Sequence, residues 1–131
     1  MDRRIQIILT LIEEDLHRKS PLNRMAHSVN LSPSHFRYLF KSETGLSVTH
    51  YIRLLRMRKA KKLLEFTFLN VKEVMNRVGA YDASHFVRDF KRTYGVTPAQ
   101  YRARYLTLIA AKKEDREVIS SDRPINRQFG Q

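Results

Sequence analysis

The sequence predicts an all-α protein, with two helix-turn-helix subdomains joined by a long linker helix and about seven helices in all. Three observations lead to this prediction. Capping residues and glycines divide the chain into segments of helical length. A segment of 18 residues recurs at a shift of 50 residues. No alternating apolar pattern of useful length indicates a strand. With 131 residues, 42% of them hydrophobic, the chain has enough apolar side chains to bury a core.

Helix boundaries follow from capping residues. A hydroxyl residue precedes a proline, which suits the first helical position, at Ser20-Pro21, Ser32-Pro33 and Thr97-Pro98. Further N-caps are Ser47, Asp82 and Asn70, the last with Glu73 at the spacing of a capping box. Gly45 and Gly95 are expected to end helices in the left-handed conformation. These signals predict helices over residues 3–18, 21–28, 33–43, 48–66, 71–77, 83–93 and 98–111.

The internal repeat defines two equivalent units. Residues 34–51 and 84–101 share seven identities over 18 positions, where chance gives about one. In the first copy the shared residues are Ser34, His35, Phe36, Phe40, Lys41, Gly45 and Tyr51. A short amphipathic helix and a tight connection precede each copy, which is the order of a helix-turn-helix. A binding unit used twice on a basic chain suggests a periodic polymer such as duplex nucleic acid.

The second helix of each unit has an apolar side and a polar side. Large apolar residues three and four positions apart are expected to face the core, namely Phe36, Leu39, Phe40, Phe86 and Phe90. The opposite sides carry Ser34, Arg37, Tyr38 and Lys41 in the first unit, and Ser84, Val87, Arg88 and Lys91 in the second. Arginine can bond guanine bidentately in the major groove, serine can donate or accept, and a valine methyl can contact thymine. These sides are the candidate DNA-reading surface.

A long basic helix is predicted between the two copies. Six of the ten residues 53–62 are basic: Arg53, Arg56, Arg58, Lys59, Lys61 and Lys62. The apolar residues of the helix can anchor in both units. A helix of 19 residues is about 28 Å long, close to the roughly 34 Å between successive major-groove faces of DNA. Residues 21–111 hold sixteen bases and five acids of a chain with formal charge +12. This excess favours phosphate binding, with a solvated connector as the alternative interpretation of the helix.

The second unit resembles the signature of the AraC/XylS family of bacterial transcription regulators. The resemblance is carried by Val78-Gly79, Asp82, Ser84, Phe86, Phe90-Lys91, Gly95, Thr97-Pro98 and Tyr101-Arg102, and it covers about residues 5–105. It implies base contacts from Ser34, Arg37, Tyr38, Ala83, Ser84, Val87 and Arg88. It also implies contacts with the DNA backbone from Lys41, Lys91, Arg92 and Thr49.

Two features near this signature are less regular. Ala80 and Tyr81 follow the turn glycine, where the family usually has an aromatic residue, and altered packing of the second unit is expected there. Asp89 lies near the inward side of its helix, where a neighbouring arginine is a possible partner, and the sequence leaves its role open.

These features predict a transcription regulator that binds double-stranded DNA sequence-specifically and reads two successive major-groove segments. The resemblance implies an activator more often than a repressor, RNA polymerase as a second partner, and a location in the cytoplasm at the bacterial nucleoid. Two alternatives stay open at this point: a helical adaptor whose basic face binds an acidic protein, and sequence-blind binding of RNA or the nucleoid. An enzyme is not expected, because the five histidines form no metal or triad motif and the chain lacks cysteine and phosphate-binding loops. No cofactor is expected.

The predicted domain organisation is a DNA-binding domain over residues 1–106. It divides into subdomain one over 1–46, the linker helix over 47–66 and subdomain two over 67–106. Residues 107–131 are expected to extend the last helix and then to be disordered. No signal peptide or membrane-spanning run is expected, and no effector or dimerisation domain. The chain is therefore expected to be a standalone regulator or the C-terminal domain of a longer one.

Overall fold

The fold is that of a computed structural model, which describes residues 1–16 and 21–121. In these two ranges the chain forms seven α-helices and no strand: α1 (Arg3–Glu14), α2 (Leu22–Ser28), α3 (Pro33–Thr44), α4 (Val48–Phe66), α5 (Val71–Val78), α6 (Ala83–Tyr94) and α7 (Pro98–Ser121). The all-α prediction is confirmed. The helices α2–α3 and α5–α6 are the two helix-turn-helix pairs, and α4 connects them.

Most of the predicted caps are present. The side chains of Ser32, Ser47, Asn70 and Asp82 each accept a hydrogen bond from the backbone N–H three residues later, at 3.2, 3.2, 2.8 and 2.9 Å. Asn70 and Glu73 complete a capping box, because the Glu73 carboxylate accepts from the backbone N–H of Asn70 at 3.0 Å. Gly45 and Gly95 end α3 and α6 with φ of 79° and 81°, as predicted. Local hydrogen bonding therefore determines where these helices begin and end.

α1 is shorter than predicted. It ends at Glu14, not at residue 18, because Asp15 leaves the helical conformation and its N–H bonds back to the Ile12 carbonyl at 3.3 Å. Leu16 then turns into the core, and its carbonyl accepts a hydrogen bond from Nε of Arg56 at 3.1 Å. A contact with residue 56 is not visible in the local sequence. Residues 17 and 18 lie outside the described residues.

Two other predicted boundaries are wrong. α2 begins at Leu22 with Pro21 itself as the N-cap residue, so proline is not its first helical residue. Ser20, the predicted cap, lies outside the described residues. α7 continues to Ser121 and does not end at 111. No glycine or proline interrupts residues 99–121, and alanine, leucine, lysine and glutamate favour the helix. Of the tail expected to be disordered, residues 112–121 are helical, and 122–131 lie outside the described residues.

Two separate hydrophobic cores hold the helices together. The first contains Ile5, Ile8, Ile12, Leu16, Met25, Ala26, Phe36, Phe40 and Val48. The second contains Met57, Ala60, Leu64, Val74, Met75, Val78, Phe86 and Phe90. The predicted inward phenylalanines are all fully buried, and Leu39 is partly buried against the first core. α4 belongs to both cores, which confirms that its apolar residues anchor in both units.

The turns of the two units use the same backbone geometry with different residues. Asn30 has a φ of 59° and Gly79 a φ of 78°, both in the left-handed region that few other residues adopt readily. The next residue in each turn donates its N–H to α2 or α5, Leu31 to Ala26 and Ala80 to Met75, each at 2.9 Å. Ala80 packs against the second core as Leu31 packs against the first, while Tyr81 is exposed. Altered packing relative to the family stays a prediction.

The C-terminal end of α4 is held by α7. Arg102 donates hydrogen bonds to the backbone carbonyl of Leu64 in the last turn of α4 and to those of Thr67 and Leu69 in the connection that follows. The last carbonyls of a helix have no partner within it. The hydroxyl of Tyr101 donates to the Glu65 carboxylate. Burial of the phenol, followed by this hydrogen bond, raises the pKa of Tyr101. The Tyr101-Arg102 pair of the sequence signature is therefore structural, and it attaches α7 to the linker.

The buried phenylalanines should be essential for stability. Phe86→Ala should lower the free energy of unfolding by about 3 to 5 kcal/mol, because it removes a fully buried ring and leaves a cavity. Phe68→Ala is the matched control, since this ring is entirely exposed, and it should change stability by less than about 0.5 kcal/mol. Urea unfolding followed by circular dichroism measures both. Equal stability of the two variants would contradict the assignment of the core.

Candidate nucleic-acid interface

The first candidate reading helix, α3, presents its polar side to solvent. The Ser32 cap begins the helix, and Phe36 and Phe40 fix its rotation by pointing into the first core. Their rings lie 5.9 Å apart, and Phe40 also contacts Tyr51 of α4 edge to face at 5.5 Å. With this side buried, the predicted outward residues are all exposed: Ser34, Arg37, Tyr38 and Lys41. Tyr38 is 73% exposed, so its ring is accessible to a ligand.

The second candidate reading helix, α6, also has a buried phenylalanine pair and an exposed opposite side, but the exposed residues differ from those of α3. Phe86 and Phe90 are buried in the second core, and Phe90 packs on Tyr94 with ring centroids 4.8 Å apart. The outward residues are again exposed: Ala83, Ser84, Val87, Arg88, Lys91 and Arg92. The repeat therefore presents Ser-Arg-Tyr on one helix and Ser-Val-Arg on the other.

The start of α6 is fixed by an ionised cap. The carboxylate of Asp82 accepts from the N–H of His85 at 2.9 Å. This hydrogen bond is the main cause that lowers the pKa of Asp82 below its ordinary value. The negative charge also interacts favourably with the positive end of the helix dipole. In the first unit Ser32 occupies this place without charge, which shows that the hydroxyl and the carboxylate serve the same capping role.

The predicted backbone contacts lie beside these two helices. Lys41, Lys91 and Arg92 are exposed in the last turns of α3 and α6, and Thr49 is exposed in the first turn of α4. The structure thus leaves every predicted site residue accessible to a ligand. Contact of each one with DNA stays a prediction.

Only part of the basic charge of α4 faces solvent freely. Nε of Arg56 donates to the Leu16 carbonyl, and burial of this guanidinium lowers its pKa. The ammonium of Lys61 lies over the Tyr94 ring, 5.3 Å from its centroid. Nε of Arg53 lies 3.6 Å from a carboxylate oxygen of Asp89. Arg58 and Lys62 are exposed. The helix is thus both a basic surface and a structural element that uses three of its six bases for internal contacts.

The ion pair with Arg53 answers the question that the sequence left open at Asp89. The side chain of Asp89 is 17% exposed and that of Arg53 is 43% exposed. Sequence reasoning placed Asp89 correctly near the inward side of its helix, but it could not choose among the many arginines. The two residues are distant in the chain, and only the packing of α4 against α6 brings them together.

Other kinds of site find no support in the described part of the chain. Among the side chains that the structure describes, those of residues 1–16 and 21–115, no cluster of histidine, cysteine, aspartate or glutamate could hold a metal ion. His35 and His85 of the repeat are exposed near the N-termini of α3 and α6. Among the described helices, none is long and apolar enough to cross a membrane.

Comparison with known proteins gives matches across both units. A family described as a helix-turn-helix domain matches residues 25–104. The transcriptional activator RhaR of Enterobacter sp. (strain 638) is 36% identical over 97 residues, which are 74% of this chain and 34% of RhaR. The uncharacterised regulator YpdC of Escherichia coli (strain K12) is 37% identical over 87 residues, 65% of this chain and 30% of YpdC. The chain thus spans about a third of the length of these relatives.

Solved structures show the same fold. The C-terminal domain of AraT, a response regulator from Geobacillus stearothermophilus, matches with a TM-score of 0.73 and 31% identity over 78% of this chain and 85% of that one. The DNA-binding domain of the global transcription factor AdpA, solved in complex with a target DNA, matches with a TM-score of 0.75 and 28% identity. That match covers 79% of this chain and 94% of the AdpA domain.

The cap of α6 gives a pH-dependent prediction. The folded pKa of Asp82 lies below its unfolded value near 3.8, so its stabilising effect is complete above that pH and is lost as the pH falls through the folded pKa. Asp82→Ser copies the cap of α3 and should remove this dependence, whereas Asp82→Ala should lower the melting temperature at neutral pH. Thermal unfolding of the three proteins from neutral to acidic pH measures the effect. An alanine variant as stable as the serine variant at neutral pH would contradict a capping role.

Proposed function

We propose that this chain, which belongs to the AraC-type helix-turn-helix family of sequence-specific DNA-binding transcription regulators, reads two successive major-groove segments of duplex DNA as a monomer. The observation that carries the proposal is the pair of unlike polar faces on α3 and α6. Both faces belong to one chain, and the single helix α4 sets the distance between them. A symmetric operator matches a symmetric dimer. Two different faces on one chain instead predict a non-palindromic DNA site. Such a site has two different contact segments, here called boxes, one for each reading helix.

Base reading is assigned to the outward residues of the two helices. Arg37 and Arg88 have the length and geometry to bond guanine bidentately, and each is exposed. Ser34 and Ser84 supply hydroxyls near the two N-termini, where recognition helices approach base edges. Tyr38, Ala83 and Val87 add apolar contacts, for which a thymine methyl is the natural partner.

Phosphate contacts are assigned to the residues that flank these faces. Lys41, Lys91, Arg92 and Thr49 are exposed, and contacts of this kind fix the register of a protein on DNA without reading its sequence. The basic excess in residues 21–111 supplies the general attraction to the duplex. Binding should therefore weaken steeply as salt rises.

Activation of transcription is the proposed outcome of binding, because the matched RhaR proteins are named transcriptional activators. RNA polymerase is then the proposed second partner, at promoters on the nucleoid in the cytoplasm. We retain the division into subdomain one over 1–46, linker over 47–66 and subdomain two over 67–106 as part of the proposal. No catalytic step is proposed.

The two arginines should carry sequence information. Arg37→Ala or Arg88→Ala should each weaken specific binding by about 1 to 3 kcal/mol and relax the preference at one or two base pairs. Selection from random duplexes, followed by titration of the selected site, measures both effects. Lys41→Ala and Lys91→Ala are the controls, because the loss of a phosphate contact should weaken all sequences about equally. Selection profiles that both arginine variants leave unchanged would contradict the assignment.

The spacing of the two boxes should be strict. Insertion of five base pairs between them turns one box about half a turn away from its helix. Specific binding should then fall at least tenfold, about 1.4 kcal/mol. The comparison uses the selected site and its inserted form in gel-shift titrations with the whole chain. Selection of perfect palindromes, or full tolerance of the insertion, would show that one unit alone reads DNA and that specificity needs a dimer.

A further inference from the structure

The angle between the two reading helices depends on how each unit is attached to α4. Val48 near the start of α4 is buried in the first core, whereas Met57, Ala60 and Leu64 of the later part are buried in the second. The two cores share no buried residue. Between them is a cleft of about 860 Å³, lined on one side by α1 and α2 and on the other by the turn before α6. A direct contact across this cleft would therefore restrict the orientation of one unit relative to the other.

The pair formed by Arg53 and Asp89 is such a contact. Arg53 follows Ile52, which packs against the first core, so its backbone moves with the first unit. Asp89 lies on the second reading helix, next to Arg88. Nε of Arg53 and Oδ2 of Asp89 are 3.6 Å apart, and both residues line the cleft between the units. The ion pair thus connects the first unit's part of α4 directly with the second reading helix.

The internal repeat shows that this ion pair has no counterpart at the equivalent positions of the other copy. At the shift of 50 residues, Asp89 corresponds to Leu39 and Arg53 corresponds to Ala103. Leu39 packs against the first core, so an apolar residue is suitable at this place in a helix-turn-helix unit. A carboxylate with only 17% of its side chain exposed is costly without a cation nearby. Stability of the unit itself therefore does not explain Asp89, whereas a contact with the linker does.

We propose that Arg53 and Asp89 are positioning residues that hold α6 at one angle relative to the first unit, and so restrict the spacing of the two DNA boxes. The inference rests on the proposed two-box function. Partly exposed ion pairs contribute little to global stability, so the effect should appear in the geometry of the units and not in their folding. Neither residue needs to contact a base.

The first test measures this geometry without DNA. The chain contains no cysteine, so spin labels can be placed uniquely at Ser42→Cys on α3 and Thr93→Cys on α6, both exposed positions. Pulsed electron paramagnetic resonance should give a narrow distance distribution for the otherwise native protein. Asp89→Leu and Arg53→Ala should broaden it, and the exchanged pair Arg53→Asp with Asp89→Arg should restore it. Equal widths in all four proteins would overturn the proposal.

The second test measures DNA spacing. One base pair added to or removed from the spacer shifts a box by about 3.4 Å and about 34°. The native protein should prefer its selected spacer, while Asp89→Leu should bind that site three- to tenfold more weakly, accept the altered spacers almost equally, and bind a single box as before. The exchanged pair should recover the preference. Lys62→Ala, an exposed base on the same helix, is the control and should leave the spacer preference unchanged.

The outcomes separate the two proposals. Equal loss on one-box and two-box DNA for Arg53→Ala, with no effect of Asp89→Leu, would identify Arg53 as a phosphate ligand and overturn the positioning role. Broadened distances in the variants, together with a native protein that binds one-box and two-box DNA equally well, would support the ion pair and refute the two-box function. Narrow distance distributions in every variant, together with strict box spacing in the native protein, would support the two-box function and overturn the positioning role of the ion pair.

Discussion

The arrangement of this protein depends on the burial of one helix in two hydrophobic cores. α4 is buried at Val48 in the first core and at Met57, Ala60 and Leu64 in the second. A large rotation of either unit about the linker would move apolar side chains out of a close-packed core, and such a movement is costly. The length and packing of the linker therefore set the separation of the two reading helices, while smaller changes of angle between the units depend on contacts such as that of Arg53 with Asp89.

The same two constraints position the reading helix in each unit, although some of the residues differ. A pair of phenylalanines fixes the rotation of each reading helix, and a polar N-cap fixes where the helix begins. The opposite side of each helix is exposed and lies outside the two cores. Because of this separation, α3 and α6 can present different side chains to DNA while they retain the same backbone and the same core contacts.

Positive charge has more than one role in this chain. Phosphate attraction requires exposed bases, and several are exposed on α3, α4 and α6. Arg56 instead donates to the carbonyl of Leu16 just after α1, Arg102 donates to that of Leu64 in the last turn of α4, and Lys61 lies over the ring of Tyr94. A count of lysine and arginine therefore overstates the surface available to DNA. The linker therefore carries more positive charge than it presents freely to solvent.

The sequence alone determined the all-α class, most helix boundaries and the buried phenylalanines, because caps, left-handed glycines and three-and-four spacing act over a few residues. It also indicated which residues of α3 and α6 are exposed, since the repeat reveals the buried side. Only the tertiary structure decided that α1 ends at Glu14, where Leu16 turns into the core and meets Arg56. The partner of Asp89 was likewise decided only there. These contacts join residues far apart in the chain, and their geometry depends on how whole helices pack, which no local pattern encodes.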